Sequence, residues 1–303
     1  MAPPKYSPIS ECRDDEYREV AWGLTDLGQK FAPLHINRAK VGEFDVKFEV
    51  LYCGVCHSDV HIGCNHLGGS TYPLVPGHEL AGKVVEVGSK VTKVQVGDNV
   101  GVGVISDSCL DCRNCTLGDE QYCIGGKSVS TYGDKKRYTH IGGNPDSMTY
   151  GGYSGSHCLN EHFIMKIPDG VPLEKAGPIL CAGITMYDPL RYWGATKGDR
   201  EMNIGIVGIG GLGTMGIKLA KALGHKVFAI STSAHKEAMA KEKGADGFIV
   251  SSDPAQMEAH KMTLDLILNT VSAEHEVMHY VGLLNYNGTI VQLGLVPKPH
   301  SVN

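Results

Sequence analysis

Four cysteines crowd one glycine-rich stretch. Cys109, Cys112, Cys115 and Cys123 form C-x2-C-x2-C-x7-C. Gaps of two residues let successive sulfurs turn toward one point without straining the backbone. Four thiolates close a tetrahedral shell around zinc and leave no open position. A structural zinc is what this spacing predicts. Disulfides would need an oxidising compartment. The ferredoxin pattern is similar but usually sets its fourth cysteine elsewhere.

A second group is dispersed. Gly54-Val55-Cys56-His57-Ser58-Asp59-Val60-His61 follows an alternating strand pattern. Gly77-His78-Glu79 precedes a valine-rich run, and Cys181 opens Cys181-Ala182-Gly183-Ile184-Thr185. Singly, each is weak. A buried cysteine is most often a small hydrophobe, and a lone histidine is most often a satisfied polar group. Spacing alone leaves a second metal site open.

A third group is glycine. Gly208-x-Gly210-Gly211-x-Gly213 follows an apolar run and opens a helical pattern. In that context it reads as a dinucleotide loop, with Leu212 inside it. Its glycines serve a tight turn, the approach of backbone to a pyrophosphate, and helix-on-strand packing. The next strand ends Ile230-Ser231-Thr232-Ser233-Ala234-His235-Lys236, with no acid before Glu237. An NAD enzyme usually places a carboxylate there for the ribose 2′-hydroxyl. Hydroxyls and a cation suit a 2′-phosphate instead. The expectation is NADP(H), with Ser231, Ser233 and Lys236 on the phosphate and Thr232 beside them. The plainer alternative is a helix cap followed by a solvated lysine.

These groups need a frame. The first half reads as β. Asp45 to Tyr52 alternates Val46, Phe48 and Val50 with Lys47 and Glu49. Lys83 to Val104 gives short valine runs broken at Gly88-Ser89 and Gly97-Asp98. A compact antiparallel barrel or sandwich fits such runs. Cys109 to Asn144 shows no helical period and reads as loop. From Ile204 onward, strands (204–207, 227–230, 248–250, 264–268, 289–293) alternate with helical stretches, the pattern of a doubly wound parallel sheet. The boundary is read near Pro168 to Gly170, giving domains 1–170 and 171–303.

Composition narrows the function. Charged residues make up 20% of 303, with a net charge of −5 and no long basic run. Nucleic acid and anionic membrane are therefore not expected partners. No apolar stretch is long and unbroken enough to span a bilayer. The first ten residues hold three prolines and no apolar run of the secretory kind. The expected setting is the reducing cytoplasm, where ten cysteines are free, metal-bound or catalytic.

Taken together, these motifs resemble the zinc-dependent medium-chain dehydrogenase/reductase family, in its cinnamyl-alcohol-dehydrogenase-like, NADP-dependent branch. The residues carrying the resemblance are Tyr52 to Asp59, Val75-Pro76-Gly77-His78-Glu79, the cysteine quartet, Leu180 to Thr185 and Val207 to Gly213. They occur in family order. The resemblance implies a GroES-like β-rich zinc domain followed by a Rossmann domain. It implies that Cys56, His78 and Cys181 hold a catalytic zinc whose fourth position takes water or substrate. Glu79 would tune that metal from beside it; the alternative is an ordinary ion-pair partner. Ser58 and His61 match the family's proton relay; the alternatives are a cap hydroxyl and a surface histidine. Thr185 would sit at the cofactor. Cys53 and Cys64 match no ligand position and read as packing or incidental thiols.

The expected reaction is hydride transfer between NADP(H) and a primary alcohol or aldehyde, aromatic or medium-chain. Ser130 stands before Thr131-Tyr132 where plant lignin-pathway members often carry Trp, which would open the pocket. The sequence departs from the family at its end. It stops soon after the fifth parallel strand, before the family's last strand and its return into the zinc domain. A homodimer is the family's assembly, commonly paired through that last strand. The rival reading is an impaired fragment or pseudoenzyme that keeps zinc and nucleotide. The zinc-free quinone-reductase branch conflicts with the cysteine and histidine sets.

Overall fold

The structure is a computed structural model, and it describes residues 11–135, 148–196, 200–296 and 300. Contacts divide the chain into two compact units, Met1–Cys181 and Ala182–Asn303. The division thus falls beyond the boundary read near Gly170. The physical reason is apolar: Val171, Leu173 and Ala176 pack with Ala81 and Ile167 of the first unit.

The first unit is antiparallel. A ribbon of β1 (Glu16–Gly23) and β2 (Ala32–Ala39) precedes the main sheet. That sheet holds β3 (Asp45–Cys53), β4 (Leu80–Val87), β5 (Asn99–Val102), β8 (Ser156–Asn160) and β9 (Met165–Lys166), in the order β8-β3-β4-β5-β9. A small pair joins β6 (Ile105–Asp107) to β7 (Val129–Ser130). Val46 and Phe48 are fully buried while Glu49 faces solvent, as the alternation in β3 requires. They share a core with Leu80, Val84, Val100 and Leu159. Among its described residues three short α-helices punctuate the unit: α1 (His57–Gly63), α2 (Arg113–Thr116) and α3 (Leu173–Ala176).

Two local readings change. Of the short valine runs, the middle one, at Val91 to Val96, is not a strand. Residues 88–98 form a connection between β4 and β5, and of Val91, Val94 and Val96 only Val94 is buried. The stretch read as loop from Cys109 holds α2, a 3-10 turn at Glu120–Tyr122 and β7. Its residues 136–144 lie outside the described residues.

The sheet of the second unit pairs in parallel among the described residues. It holds β10 (Asn203–Val207), β11 (Lys226–Ser231), β12 (Gly247–Val250), β13 (Leu264–Asn269) and β14 (Leu284–Gln292), in the order β12-β11-β10-β13-β14. This is the 3-2-1-4-5 part of the doubly wound dinucleotide order. Helices α4 (Ala182–Tyr192), α5 (Gly211–Ala222), α6 (Glu237–Glu242), α7 (Pro254–Ala259) and α8 (Met278–Val281) accompany it. Ile204, Ile206, Leu266 and Leu268 are fully buried, joined by Met186 and Leu190 of α4 and Ile217 of α5. Among the described residues β14 pairs only with β13. No helix among them is long and apolar enough to cross a membrane.

Candidate metal centres and nucleotide site

Strand register builds the dispersed group. Cys53 at the end of β3 pairs with Leu80 at the start of β4. The chain leaving β3 and the chain entering β4 therefore lie side by side. The Gly54 N–H continues the ladder, donating to the Glu79 carbonyl at 3.0 Å. Two residues later Cys56 caps α1, its sulfur accepting from the Ser58 N–H at 3.5 Å. His78 and Glu79 face it from the other chain. The third segment arrives through the 3-10 turn Gly177–Leu180. A side chain at Gly177 would run into the Glu79 carbonyl, 2.7 Å away, so glycine permits this approach. Cys181 follows directly.

The donor atoms converge. Cys56 Sγ lies 3.7 Å from Cys181 Sγ, and His78 Nε2 lies 3.3 Å from Cys181 Sγ. One donor each from Cys56, His78, Glu79 and Cys181 all fall within 4.8 Å of one another. His78, Glu79 and Cys181 are buried. Two sulfurs, an imidazole and a carboxylate suit Zn2+, which is borderline-soft and tolerant of mixed ligands. A hydrogen bond from the Cys181 thiol, aided by His78, pulls the Cys56 thiol down to about 3 against burial. Burial alone would lower His78, but Asp59 and Cys56 outweigh it and hold the ring at about 9. The set thus already favours a thiolate. Glu79 is read from the sequence as a neighbour of the metal; here its carboxylate stands among the donors themselves.

Asp59 is the residue that sequence reasoning passed over. Its Oδ1 lies 3.3 Å from His78 Nδ1, and both side chains are almost wholly buried. That contact turns Nε2 toward the sulfurs, the carboxylate–histidine arrangement that orients metal ligands. Asp59 is itself fixed. It accepts from the Cys56 N–H at 2.9 Å, the Gly77 N–H at 3.1 Å and the Tyr153 hydroxyl at 3.0 Å. A signal was present: Cys56-x-x-Asp59 has the reciprocal spacing of a capping box, which it forms.

The remaining candidates of this unit divide. Ser58 Oγ lies 3.6 Å from Cys56 Sγ, next to the donor set. His61 lies one turn further along α1 and pairs with His66 instead. Tyr132 stacks on His78 with ring centroids 5.8 Å apart, which brings the Ser130-Thr131-Tyr132 segment to the site. Cys53 is a half-buried thiol pushed up to about 12 by burial, and Cys64 is exposed.

The quartet is built locally. Cys112 stands at the N-cap position of α2 and Cys115 lies inside the helix. Cys109 Sγ is 3.8 Å and Cys112 Sγ 3.5 Å from Cys115 Sγ. Donors from all four cysteines fall within 4.8 Å of one another. Four sulfurs at about 2.3 Å from a tetrahedral zinc stand about 3.8 Å apart. The observed spacing fits that shell, and none of the four is in a disulfide. Gly125 closes over Cys109 so tightly that any Cβ there would strike its sulfur.

In the second unit β10 runs into Gly208, whose φ of +86° favours glycine. A Cβ at Gly213 would strike the Gly208 carbonyl, so α5 packs tightly onto the loop. Gly210 and Gly211 differ: a Cβ at either meets nothing within 4 Å. Nothing inside the fold demands glycine there, whereas a phosphate approaching the N-terminus of α5 would. Leu212 turns its side chain to the core. Beside the loop lies a groove of about 440 Å3 lined by Gly210, Gly211, Thr214, Lys218, Lys236 and Met239, among others. Lys236 Nζ donates to the Ile209 carbonyl at 3.0 Å and so stands over the loop. Ser231 ends β11, and Ser233 Oγ lies 2.6 Å from His235 Nδ1. Thr232 is exposed beside them. Lys218, not singled out from the sequence, joins Lys236 in the groove. Thr185, on α4, is not among the groove's lining residues.

A β unit bearing two metal-ligand clusters, joined to a glycine-looped parallel sheet, defines a metal-dependent dehydrogenase. Comparison with known proteins makes this specific. Residues 42–169 match the alcohol dehydrogenase GroES-like domain and residues 211–303 the zinc-binding dehydrogenase domain. The chain belongs to the zinc-dependent medium-chain dehydrogenase family, in its cinnamyl-alcohol-dehydrogenase-like branch. A probable mannitol dehydrogenase of Fragaria ananassa is 51% identical over 289 residues, 94% of this chain and 77% of that protein. A cinnamyl alcohol dehydrogenase of Sorghum bicolor superposes with a TM-score of 0.86 at 39% identity, over 95% of this chain and 79% of that one. A Helicobacter pylori cinnamyl alcohol dehydrogenase, solved with NADP(H), gives 0.83 at 34% identity, over 93% and 77%.

Proposed function

We propose that this chain transfers hydride between NADP(H) and a primary alcohol or its aldehyde, aromatic or medium-chain, at a zinc held by Cys56, His78 and Cys181. The observation that carries the reading is the convergence of those three donors, with the Glu79 carboxylate, within 4.8 Å. Zinc bound there supplies Lewis acidity, lowering the pKa of an alcohol or polarising an aldehyde carbonyl. The quartet holds a second, structural zinc.

The chain's own residues do the rest. Asp59 fixes the His78 ring so that Nε2 is the donor. The Glu79 carboxylate, beside the three donors, would be the one of the set that can yield its place to a substrate oxygen. Ser58 Oγ, beside Cys56, holds the substrate's hydroxyl proton. His61, three residues on, exchanges that proton with solvent. Burial and then its neighbours His57 and His66 keep the His61 pKa below its ordinary value. Gly208, Gly210, Gly211 and Gly213, with the backbone of Leu212, cradle the pyrophosphate. Ser231, Thr232, Ser233 and Lys236 take the 2′-phosphate, with Lys218 as a second cation. Thr185 contacts the cofactor from α4. A broad aldehyde pocket follows from Ser130 in place of a larger residue, and the cytoplasm is the proposed compartment.

The test is turnover with defined cofactors. Reduction of cinnamaldehyde should proceed with NADPH and run much slower with NADH. Equal rates with the two cofactors would overturn the NADP(H) assignment. A chain that holds two zincs yet shows no turnover would favour the impaired-fragment reading, which the named activities of its relatives do not support.

A further inference from the structure

Three histidines gather along α1 and just beyond it, outside both metal-ligand clusters. His57 and His61 are four residues apart and share one helix face. Their ring centroids lie 4.6 Å apart. After the helix the chain turns back. Asn65 takes φ 53°, the His66 N–H donates to the His61 carbonyl at 2.8 Å, and the Ser70 N–H donates to Asn65 Oδ1 at 3.0 Å. This turn folds His66 onto the helix, with its Nδ1 3.2 Å from His61 Nδ1. His66 is exposed and His61 is half-buried, so a small ion reaches the facing nitrogens of this pair.

Two imidazole nitrogens at that distance have two uses. With complementary tautomers they share one proton. With both unprotonated they aim two lone pairs at one point. Metal–nitrogen bonds of about 2.1 Å place adjacent ligand atoms about 3.0 Å apart at a right angle and about 3.4 Å apart in a tetrahedron. The observed bite lies between these. The His57-x3-His61 spacing is that of the paired histidines on zinc-binding helices. The lowered pKa of His61 leaves its ring open to a metal near neutral pH.

We propose that His61 and His66 form an inhibitory metal site that takes a free borderline divalent cation such as Zn2+ or Ni2+, with water completing its coordination. Occupancy ties up the His61 ring and stops it exchanging the substrate's proton. The inhibition rests on the relay role of His61 given above; the binding does not.

The probe is Ni2+, added to holoenzyme already carrying its two zincs. Calorimetry reads binding, initial rates of aldehyde reduction read inhibition, and released zinc is measured in parallel. Wild-type chain should bind one Ni2+, lose rate over the same concentration range and release no zinc. His66→Ala should bind Ni2+ at least about tenfold more weakly. Its inhibition, scaled to its own Ni2+-free rate, should shift equally. Equal Ni2+ affinity in the two proteins, or zinc release in step with Ni2+ uptake, would overturn the site. Binding that leaves the rate unchanged would overturn the inhibition. Absence of turnover before any Ni2+ is added would count against the dehydrogenase reading, while calorimetry would still judge the site.

Discussion

The two cysteine groups of the first unit reach similar geometry by opposite routes. The quartet spans fifteen residues of one loop, from Cys109 to Cys123, and its spacing alone brings the sulfurs together. The dispersed set draws on three segments, with Cys56 and Cys181 separated by 125 positions. The β3–β4 register and the approach at Gly177 bring it together. A local all-thiolate shell is closed and can only hold the fold. A set assembled by the fold, with a carboxylate among its donors, can give up one position to substrate. The difference predicts that one group governs stability and the other governs turnover.

The largest effect should follow loss of a ligand from the dispersed set. Cys56→Ser should cut kcat/KM for aldehyde reduction by at least about a thousandfold, the several kcal/mol that Lewis-acid stabilisation supplies. A steady-state assay checks this. Retention of near-normal rate would place the chemistry elsewhere. Asp59→Asn tests the support of that set. It should weaken zinc at the catalytic position by about 10- to 100-fold, read by competition with a chelator, while the quartet keeps its metal. Lys236→Ala moves the contrast to the second unit. It should raise the KM for NADPH by about tenfold, the worth of one charge-assisted contact, and leave that for NADH unchanged. The smallest effect should be at His61. Alcohol oxidation needs the neutral ring as proton acceptor, so rate should rise with pH through the His61 pKa, which lies below the ordinary histidine value. Full activity is therefore expected at neutral pH, and His61→Gln should flatten the acid limb of the profile. An unchanged limb would remove His61 from the relay.

What the sequence disclosed follows the same division. Interactions set by near neighbours were legible: the quartet, the alternation of Val46 and Phe48, and the glycine loop with its flanking strand and helix. Interactions set by register were not. Cys56 and His78 become neighbours only because Cys53 pairs with Leu80. The family resemblance, rather than spacing, supplied that set. Asp59 was hidden because an aspartate in the first turn of a helix reads as an ordinary cap. Lys218 was hidden because one exposed lysine reads as a solvated side chain. Yet it shares a helix face with Gly211, Thr214 and Met215, at offsets of seven, four and three that trace the groove. The breaks at Gly88-Ser89 and Gly97-Asp98 were legible, but the middle valine run misled because side-chain type does not reveal that 88–98 leaves the sheet. Helix α4 was passed over because Pro189 sits within it.

The measurement that bears most directly on the contrast is zinc per chain together with thermal midpoint, taken on wild type, Cys56→Ser and Cys115→Ser. Wild type should carry two zincs and each variant one. Cys115→Ser should lower the midpoint by roughly 5–10 °C, from a loss of a few kcal/mol. Cys56→Ser should lower it far less while losing turnover. Equal destabilisation of the two variants, or two zincs retained by either, would contradict the division between a metal that holds the fold and a metal that does the chemistry.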